Sequence, residues 1–161
     1  MAETLSSEHY SATLIDYFEH PHNAGAMPGA DAEGFVINPV CGDSLRLFLR
    51  IERGGGNARN DRGDGDDRGE GETSAGDRIV AASFLSSGCP AAIATSSVAT
   101  ELIAGRLLAE AEALTREDYA AAVGGLPKSK LHCSVLAQAA VRNAVRDWRA
   151  ARAARAAAAE R

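Results

Sequence analysis

Ser44-Leu45-Arg46-Leu47-Phe48-Leu49-Arg50-Ile51-Glu52 is the stretch on which the fold turns. Leu45, Leu47, Leu49 and Ile51 alternate with Arg46, Phe48, Arg50 and Glu52. That is the period of a strand with one buried face. On its N-terminal side, Phe35-Val36-Ile37 reads as a second strand. On its C-terminal side, Arg78 to Ser86 reads as a third, carrying Ile79, Val80, Phe84 and Leu85. The remainder is helical, so the expected fold is α+β. A small antiparallel three-stranded sheet should carry helices packed on one face and a long C-terminal helix.

Around this core, Ser11 to His20 reads as a short helix with Leu14, Ile15 and Phe18 on one face, ended by Pro21. Ala91 to Ala104 and Leu107 to Ala113 are two more. Thr115 followed by Glu117 and Asp118 has the look of an N-cap for a third, running to Val123 before Gly124-Gly125. A last helix is expected from near Ser134, with Leu136, Ala140, Ala144 and Trp148 on one stripe beside Val141 and Val145. One domain is expected over residues 1–150. The Ala/Arg-rich tail, 151–161, should extend or fray the last helix and carry no chemistry.

Between the second and third strands lies a low-complexity block, residues 53–78. It holds eight glycines, seven acids and five arginines and almost nothing apolar. Such a composition buries too little surface to offset its ordering entropy, so a disordered hairpin tip is expected. Removal of Gly54 to Asp77 should therefore leave the domain folded. A calcium-loop reading places Asp64, Asp66 and Gly69 well. It then puts Arg68 and Ala75 where oxygen ligands are needed.

The 161 residues suit one compact domain, and with 45% hydrophobic but only 5% aromatic residues its core must be built mainly from aliphatic side chains. A net charge of -5 disfavours nucleic acid and anionic membrane as partners. No apolar run approaches the ~20 residues of a membrane span. Residues 1–9 have neither a basic nor an apolar leader segment, and three cysteines are too few for a disulfide framework, so reduced thiols in the cytoplasm are expected.

Each cysteine has a telling context. Cys41 opens Cys41-Gly42-Asp43 in a turn between strands. Cys89 precedes Pro90, which suits the first helical position, and so sits at a helix start. Cys133 follows His132 just before the last helix. Helix starts favour thiolate, the form that binds metal and accepts sulfur. Cys41, Asp43, Cys89, His132 and Cys133 together make a soft-metal ligand set for iron or zinc. A buried structural cysteine and a turn aspartate are the plain alternatives for Cys89 and Asp43. No CxxC pair is present, which argues against a dedicated zinc module. His9, His20 and His22 stand in polar or turn context and should be solvated.

These residues, with their neighbours, resemble the U-type iron–sulfur cluster scaffold family, called IscU or the N-terminal domain of NifU. The resemblance runs from about Tyr10 to Trp148. It rests on Tyr10-Ser11, on Pro21, Asn23 and Gly25, and on Cys41-Gly42-Asp43. Gly88-Cys89 with Ala91-Ala92-Ile93-Ala94 and Ser96-Ser97 continues it, and Leu126-Pro127 and His132-Cys133-Ser134 complete it.

The resemblance implies a non-enzymatic scaffold for a transient [2Fe–2S] cluster. Cys41, Cys89 and Cys133 would be its thiolate ligands, with His132 or Asp43 completing the set. It further implies sulfur delivery to Cys133 by a cysteine desulfurase and cluster release tuned by Asp43. Transfer would go to apo iron–sulfur acceptor proteins. An Hsp70-type chaperone pair and a homodimer are further partner expectations. The alternative function is a zinc-binding sulfur-transfer partner of the desulfurase. The sulfur-relay branch of the family lacks the histidine, so His132 places the resemblance with the scaffold branch. Three departures stand out: Lys128 and Ser129 interrupt the family's Leu-Pro-Pro-Val-Lys chaperone motif, Pro90 replaces a usual glycine, and the 53–78 block has no counterpart.

Overall fold

The structure is a computed structural model that describes residues 10–54 and 76–159. Three antiparallel strands, β1 (Ala32–Ile37), β2 (Ser44–Glu52) and β3 (Arg78–Ser87), lie in the order β1-β2-β3. α1 (Ala12–Glu19) precedes them. α2 (Pro90–Ile103), α3 (Leu108–Ala113), α4 (Arg116–Ala122) and α5 (Leu131–Ala159) follow. The α+β architecture is the one the alternating pattern of β2 demands. Leu45, Leu47, Leu49 and Ile51 are buried against the helical layer, which is formed chiefly by α5 over β1 and β2 and by α2 over β3. No helix among the described residues is long and apolar enough to cross a membrane.

The far face of the sheet is not simply solvated. Phe48 points there and is buried. The chain between α1 and β1 turns back along the sheet: the Gly25 N–H donates to the Phe84 carbonyl (2.8 Å), and the Phe84 N–H donates to the Asn23 carbonyl (3.0 Å). Met27 then lines a shallow depression together with Phe48. The Asp31 carboxylate accepts the Ile51 N–H at 2.8 Å. The turn-rich residues after Pro21 thus protect the outer edge of β3 and cover part of the second face.

β1 is longer than its apolar triplet, starting at Ala32, which pairs with Leu49. Ala, Glu and Gly are weak strand formers, and pairing with β2 overrides their propensity. Gly34 earns its place by close approach. A Cβ there would lie 2.1 Å from the Ala140 carbonyl oxygen and 2.7 Å from the Ala144 nitrogen of α5. Ala140 and Ala144 are fully buried, so small residues on both elements let the helix backbone settle onto the sheet.

α5 starts earlier than its sequence suggests. A 3-10 turn over Lys128–Lys130 leads directly into Leu131. Ser134 does not cap the helix; its hydroxyl donates back to the Leu131 carbonyl at 2.6 Å. Cys133 therefore sits inside the first turn rather than ahead of it. At its other end the helix reaches Ala159, and Arg152, within the expected passive tail, is buried. It pairs with Asp77, whose carboxylate also accepts the Trp148 indole N–H at 2.7 Å and the Gly54 N–H at 3.0 Å.

Asp77 belongs to the block expected to be a disordered tip, as do Arg53, Gly54, Gly76 and Arg78. Asp77 is fully buried, Arg53 stacks over the Trp148 ring at 5.7 Å, and Arg78 is the first residue of β3. The expectation that Gly54 to Asp77 is dispensable is thereby corrected, because a charged residue of that stretch is part of the core. The rest of the block, residues 55–75, lies outside the described residues, and so does the calcium-loop alternative within it.

Candidate metal and cluster site

Three elements bring the five candidate residues to one end of the fold. The β1–β2 turn carries Cys41 and Asp43. Its Asn38 side chain accepts the Val40 N–H at 2.9 Å, the Asn38 carbonyl accepts the Gly42 N–H at 2.8 Å, and the Asn38 N–H donates to the Asp43 carbonyl at 2.8 Å. Gly42 takes φ 77°, a left-handed conformation open to glycine at no steric cost, which aims Cys41 and Asp43 at the same space. Cys89 is the N-cap of α2, with Pro90 at the first helical position. His132 and Cys133 project from the first turn of α5.

The ligand atoms of Cys41, Asp43 and His132 all lie within 4.8 Å of one another, and so do those of Asp43, Cys89 and Cys133. Asp43 joins the two groups. Cys41 is exposed, His132 and Cys89 are half-buried, and Cys133 is 1% exposed. The set grades from solvent to core, so it is open on the Cys41 side and closed beneath Cys133. Residues 48 and 44 apart in sequence meet here because the sheet and α5 bring their ends together.

The two deeper thiols are in hydrogen-bond contact. Their sulfurs are 3.8 Å apart. The hydrogen bond from Cys133 brings the Cys89 thiol down to about 6, against the opposing effect of its partial burial. The backbone N–H of Ala92 and the Lys130 ammonium lower it further, while Asp43 works against them. Cys133 is pushed up, first by the same hydrogen bond with Cys89 and then by burial. Of the two, Cys89 is the more acidic thiol. The His132 imidazole groups with Cys41 and Asp43, while the Cys133 thiol is buried in the apolar cluster that holds Leu14 and Val123.

Two residues without a role in the sequence reading also belong to the site. Lys130 acts on both thiols. Gly88 lies against Asp43. Only its place beside Cys89 could have flagged it. Beside His132 an apolar groove of about 280 Å³ runs between β1 and α5, lined by Ile37, Pro39 and Val135 among others. Of the remaining histidines, His20 is exposed and lies 3.4 Å from Asp16. His22 is tied down: its ring pairs with Glu101, which also accepts the Tyr17 hydroxyl at 2.6 Å, and its backbone N–H donates to Ser97 at 2.7 Å. His9 lies outside the described residues.

Comparison with known proteins points the same way. Residues 9–62 and 72–155 match the NifU-like N-terminal domain. The chain is 39% identical over 139 residues to the iron-sulfur cluster assembly scaffold protein IscU 1 of Archaeoglobus fulgidus, covering 86% of this chain and 76% of that protein. It is 37% identical over 143 residues to the scaffold protein IscU of Azotobacter vinelandii, covering 87% of this chain and 94% of that one. Among solved structures, the N-terminal part of a nitrogen-fixing NifU-like protein from Brucella abortus superposes with a TM-score of 0.62 over 86% of this chain and 93% of its own. At 13% identity that likeness speaks for the fold alone. A family match over most of the chain and relatives above 30% identity carry the assignment: the chain belongs to the NifU-like N-terminal domain family.

Proposed function

We propose that this protein is a scaffold on which a transient [2Fe–2S] cluster is assembled from iron and desulfurase-derived sulfur and then passed to acceptor proteins. The observation that carries the reading is the convergence of Cys41, Asp43, Cys89, His132 and Cys133 at one graded, half-open end of the fold. Relatives named as iron-sulfur cluster assembly scaffold proteins support it. The cluster is cargo. Cys41, Cys89 and Cys133 supply thiolates, and His132 or Asp43 completes the set. An imidazole or carboxylate in that set holds a cluster less firmly than four thiolates, which suits a donor. The protein's part is to hold and release, so its role is non-enzymatic.

Sulfur arrives from a cysteine desulfurase. A thiolate here attacks the outer sulfur of the desulfurase persulfide, a new S–S bond forms, and the desulfurase cysteine leaves as thiolate. Cys133 is the proposed acceptor on family resemblance. It is shielded in the described arrangement, so sulfur delivery to it requires a local rearrangement. Cys89, the more exposed thiol of the pair, is the competing acceptor. Apo iron–sulfur proteins are the recipients. The exposed turn at Lys128–Lys130 is where an Hsp70-type chaperone pair would dock, with Lys128 and Ser129 altering the usual motif. A homodimer and a cytoplasmic location remain part of this reading. A second reading, zinc held by the same residues in a sulfur-transfer partner of the desulfurase, is favoured by the donor set, since thiolate, imidazole and carboxylate suit tetrahedral Zn²⁺.

Anaerobic reconstitution with iron, cysteine and a desulfurase, followed by absorption and Mössbauer spectroscopy, decides between the two. A [2Fe–2S] signature lost in Cys41→Ser, Cys89→Ser and Cys133→Ser is expected. Tightly retained zinc with no cluster formed after its removal would establish the second reading. Asp43→Ala should slow cluster loss to a chelator, because it removes a labile oxygen ligand; unchanged or faster loss removes Asp43 from that role. Peptide mapping of alkylated, sulfur-loaded protein identifies the acceptor, and full loading of Cys133→Ser excludes Cys133.

A further inference from the structure

We propose that Gly88 is a positioning residue for Asp43: it holds no ligand atom, and its missing side chain is the space in which the Asp43 carboxylate sits. An ideal Cβ on Gly88 would lie 2.7 Å from the Asp43 carboxyl carbon, 2.9 Å from Oδ1 and 3.1 Å from the Asp43 Cβ. The first two approaches are closer than side chains make and the third is tight, so a methyl group at position 88 and the present Asp43 rotamer exclude one another. Backbone conformation does not require the glycine. Gly88 is not among the glycines that take positive φ, so an L residue fits its backbone. What the position demands is room.

The kind of neighbour decides who yields. At Gly34 an added Cβ meets the backbone of α5, and at Gly54 it meets the backbone of Gly76. At Gly88 the nearest atoms all belong to one rotatable side chain. A methyl there leaves the ladder intact, where Ser87 pairs with Ser44, and displaces the carboxylate instead. Asp43 is the residue common to both ligand groups, so its displacement separates the Cys41–His132 side of the site from the Cys89–Cys133 side. The pair Gly88-Cys89 therefore encodes two things: a thiol at a helix start and a vacancy for a carboxylate arriving from the β1–β2 turn.

This inference rests on the proposed role of Asp43 in cluster release, and its test separates the two. The full chain is prepared metal-free with ¹³C-labelled aspartate, and the Asp43 Cγ resonance is identified by its loss in Asp43→Ala. Gly88→Ala should displace that resonance while the far-UV spectrum stays that of the wild type. After reconstitution, Gly88→Ala should slow cluster loss to a chelator in the same direction as Asp43→Ala, and the double variant should be no slower than Asp43→Ala alone. If Gly88→Ala lowers the melting temperature, Asp43→Ala should restore it by removing the group that clashes. An unmoved Asp43 resonance, or an effect of Gly88→Ala that persists undiminished in the Asp43→Ala background, overturns the proposal. Should Asp43→Ala not slow cluster loss, the release role of Asp43 fails, while a displaced resonance in Gly88→Ala still upholds the positioning of its carboxylate.

Discussion

Cys89 and Cys133 lie 3.8 Å apart and are opposite in character. The Cys89 thiol, lowered to about 6 by the Cys133 hydrogen bond, is mostly ionised at neutral pH. Only the thiolate reacts with an alkylating agent, and a free cysteine reaches half-ionisation near ~8.5. In metal-free protein the alkylation of Cys89 should therefore rise through a midpoint near 6, while Cys133 stays protected until well above neutrality. Peptide-resolved alkylation rates from acid to alkaline pH measure this, with zinc excluded because a bound ion masks thiolates. Equal rates for the two at neutral pH would falsify this difference in acidity. The helix-start setting of Cys89 is legible in the Cys89-Pro90 pair because capping is local. The burial of Cys133 is not, because the apolar cluster it joins is assembled from residues distant in sequence, Leu14 of α1, Ala91 to Val98 of α2 and Val123.

Strands and helices are locked together by one charge at the scale of elements. Asp77 enters β3 and holds Trp148 and Arg152 near the far end of α5. Burial by itself raises the Asp77 carboxyl, but hydrogen bonds from Arg152, Trp148 and the Gly54 N–H together outweigh it and leave it below the ordinary carboxylate range. Its folded value lies under its unfolded one. The stability it contributes is thus fully present above the unfolded value of ~3.9 and is lost as pH falls through the lowered one. Removing one partner of a buried pair strands the other charge, a loss of about 3–5 kcal/mol. Asp77→Asn should lower the denaturant midpoint accordingly. Replacing Asp77 and Arg152 together with apolar residues should restore much of that loss. A midpoint for Asp77→Asn at the wild-type value would show the pair to be idle. The stripe on α5 is legible through Trp148, but Arg152 looks like one more residue of an Ala/Arg tail, since its partner is 75 positions away.

The whole molecule shows where the long acidic block can be cut. Gly54 and Gly76 lie against each other, with a Cβ on Gly76 reaching Gly54 Cα at 3.2 Å. Deleting residues 55–75 and joining Gly54 to Gly76 through a short turn should keep fold and cluster assembly. Closing a flexible loop costs only about 0.6 kcal/mol per doubling of its length. Extending the deletion through Asp77 should instead reduce stability by the amount seen in Asp77→Asn. Circular dichroism melts of the two deletions, with cluster absorption after reconstitution, test the contrast. Loss of assembly in the shorter deletion would make the block a functional arm.

The alternation of Leu45, Leu47, Leu49 and Ile51, the Thr115 cap and the Cys89-Pro90 start determined sheet, helices and the helix-start setting of Cys89 from the chain alone, because each depends on neighbours a few residues away. Family resemblance in the residues around Cys41, Cys89 and Cys133 determined which chemistry to expect. Tertiary structure decided the remainder: that Phe48 is covered, that β1 begins at Ala32, that Asp77 is core, that Cys89 and Cys133 differ in acidity, and that Gly88 makes room for Asp43. In each of these the determining atoms lie on another element. Depth, thiol acidity and steric vacancy are properties of distance in space, which a linear pattern does not carry.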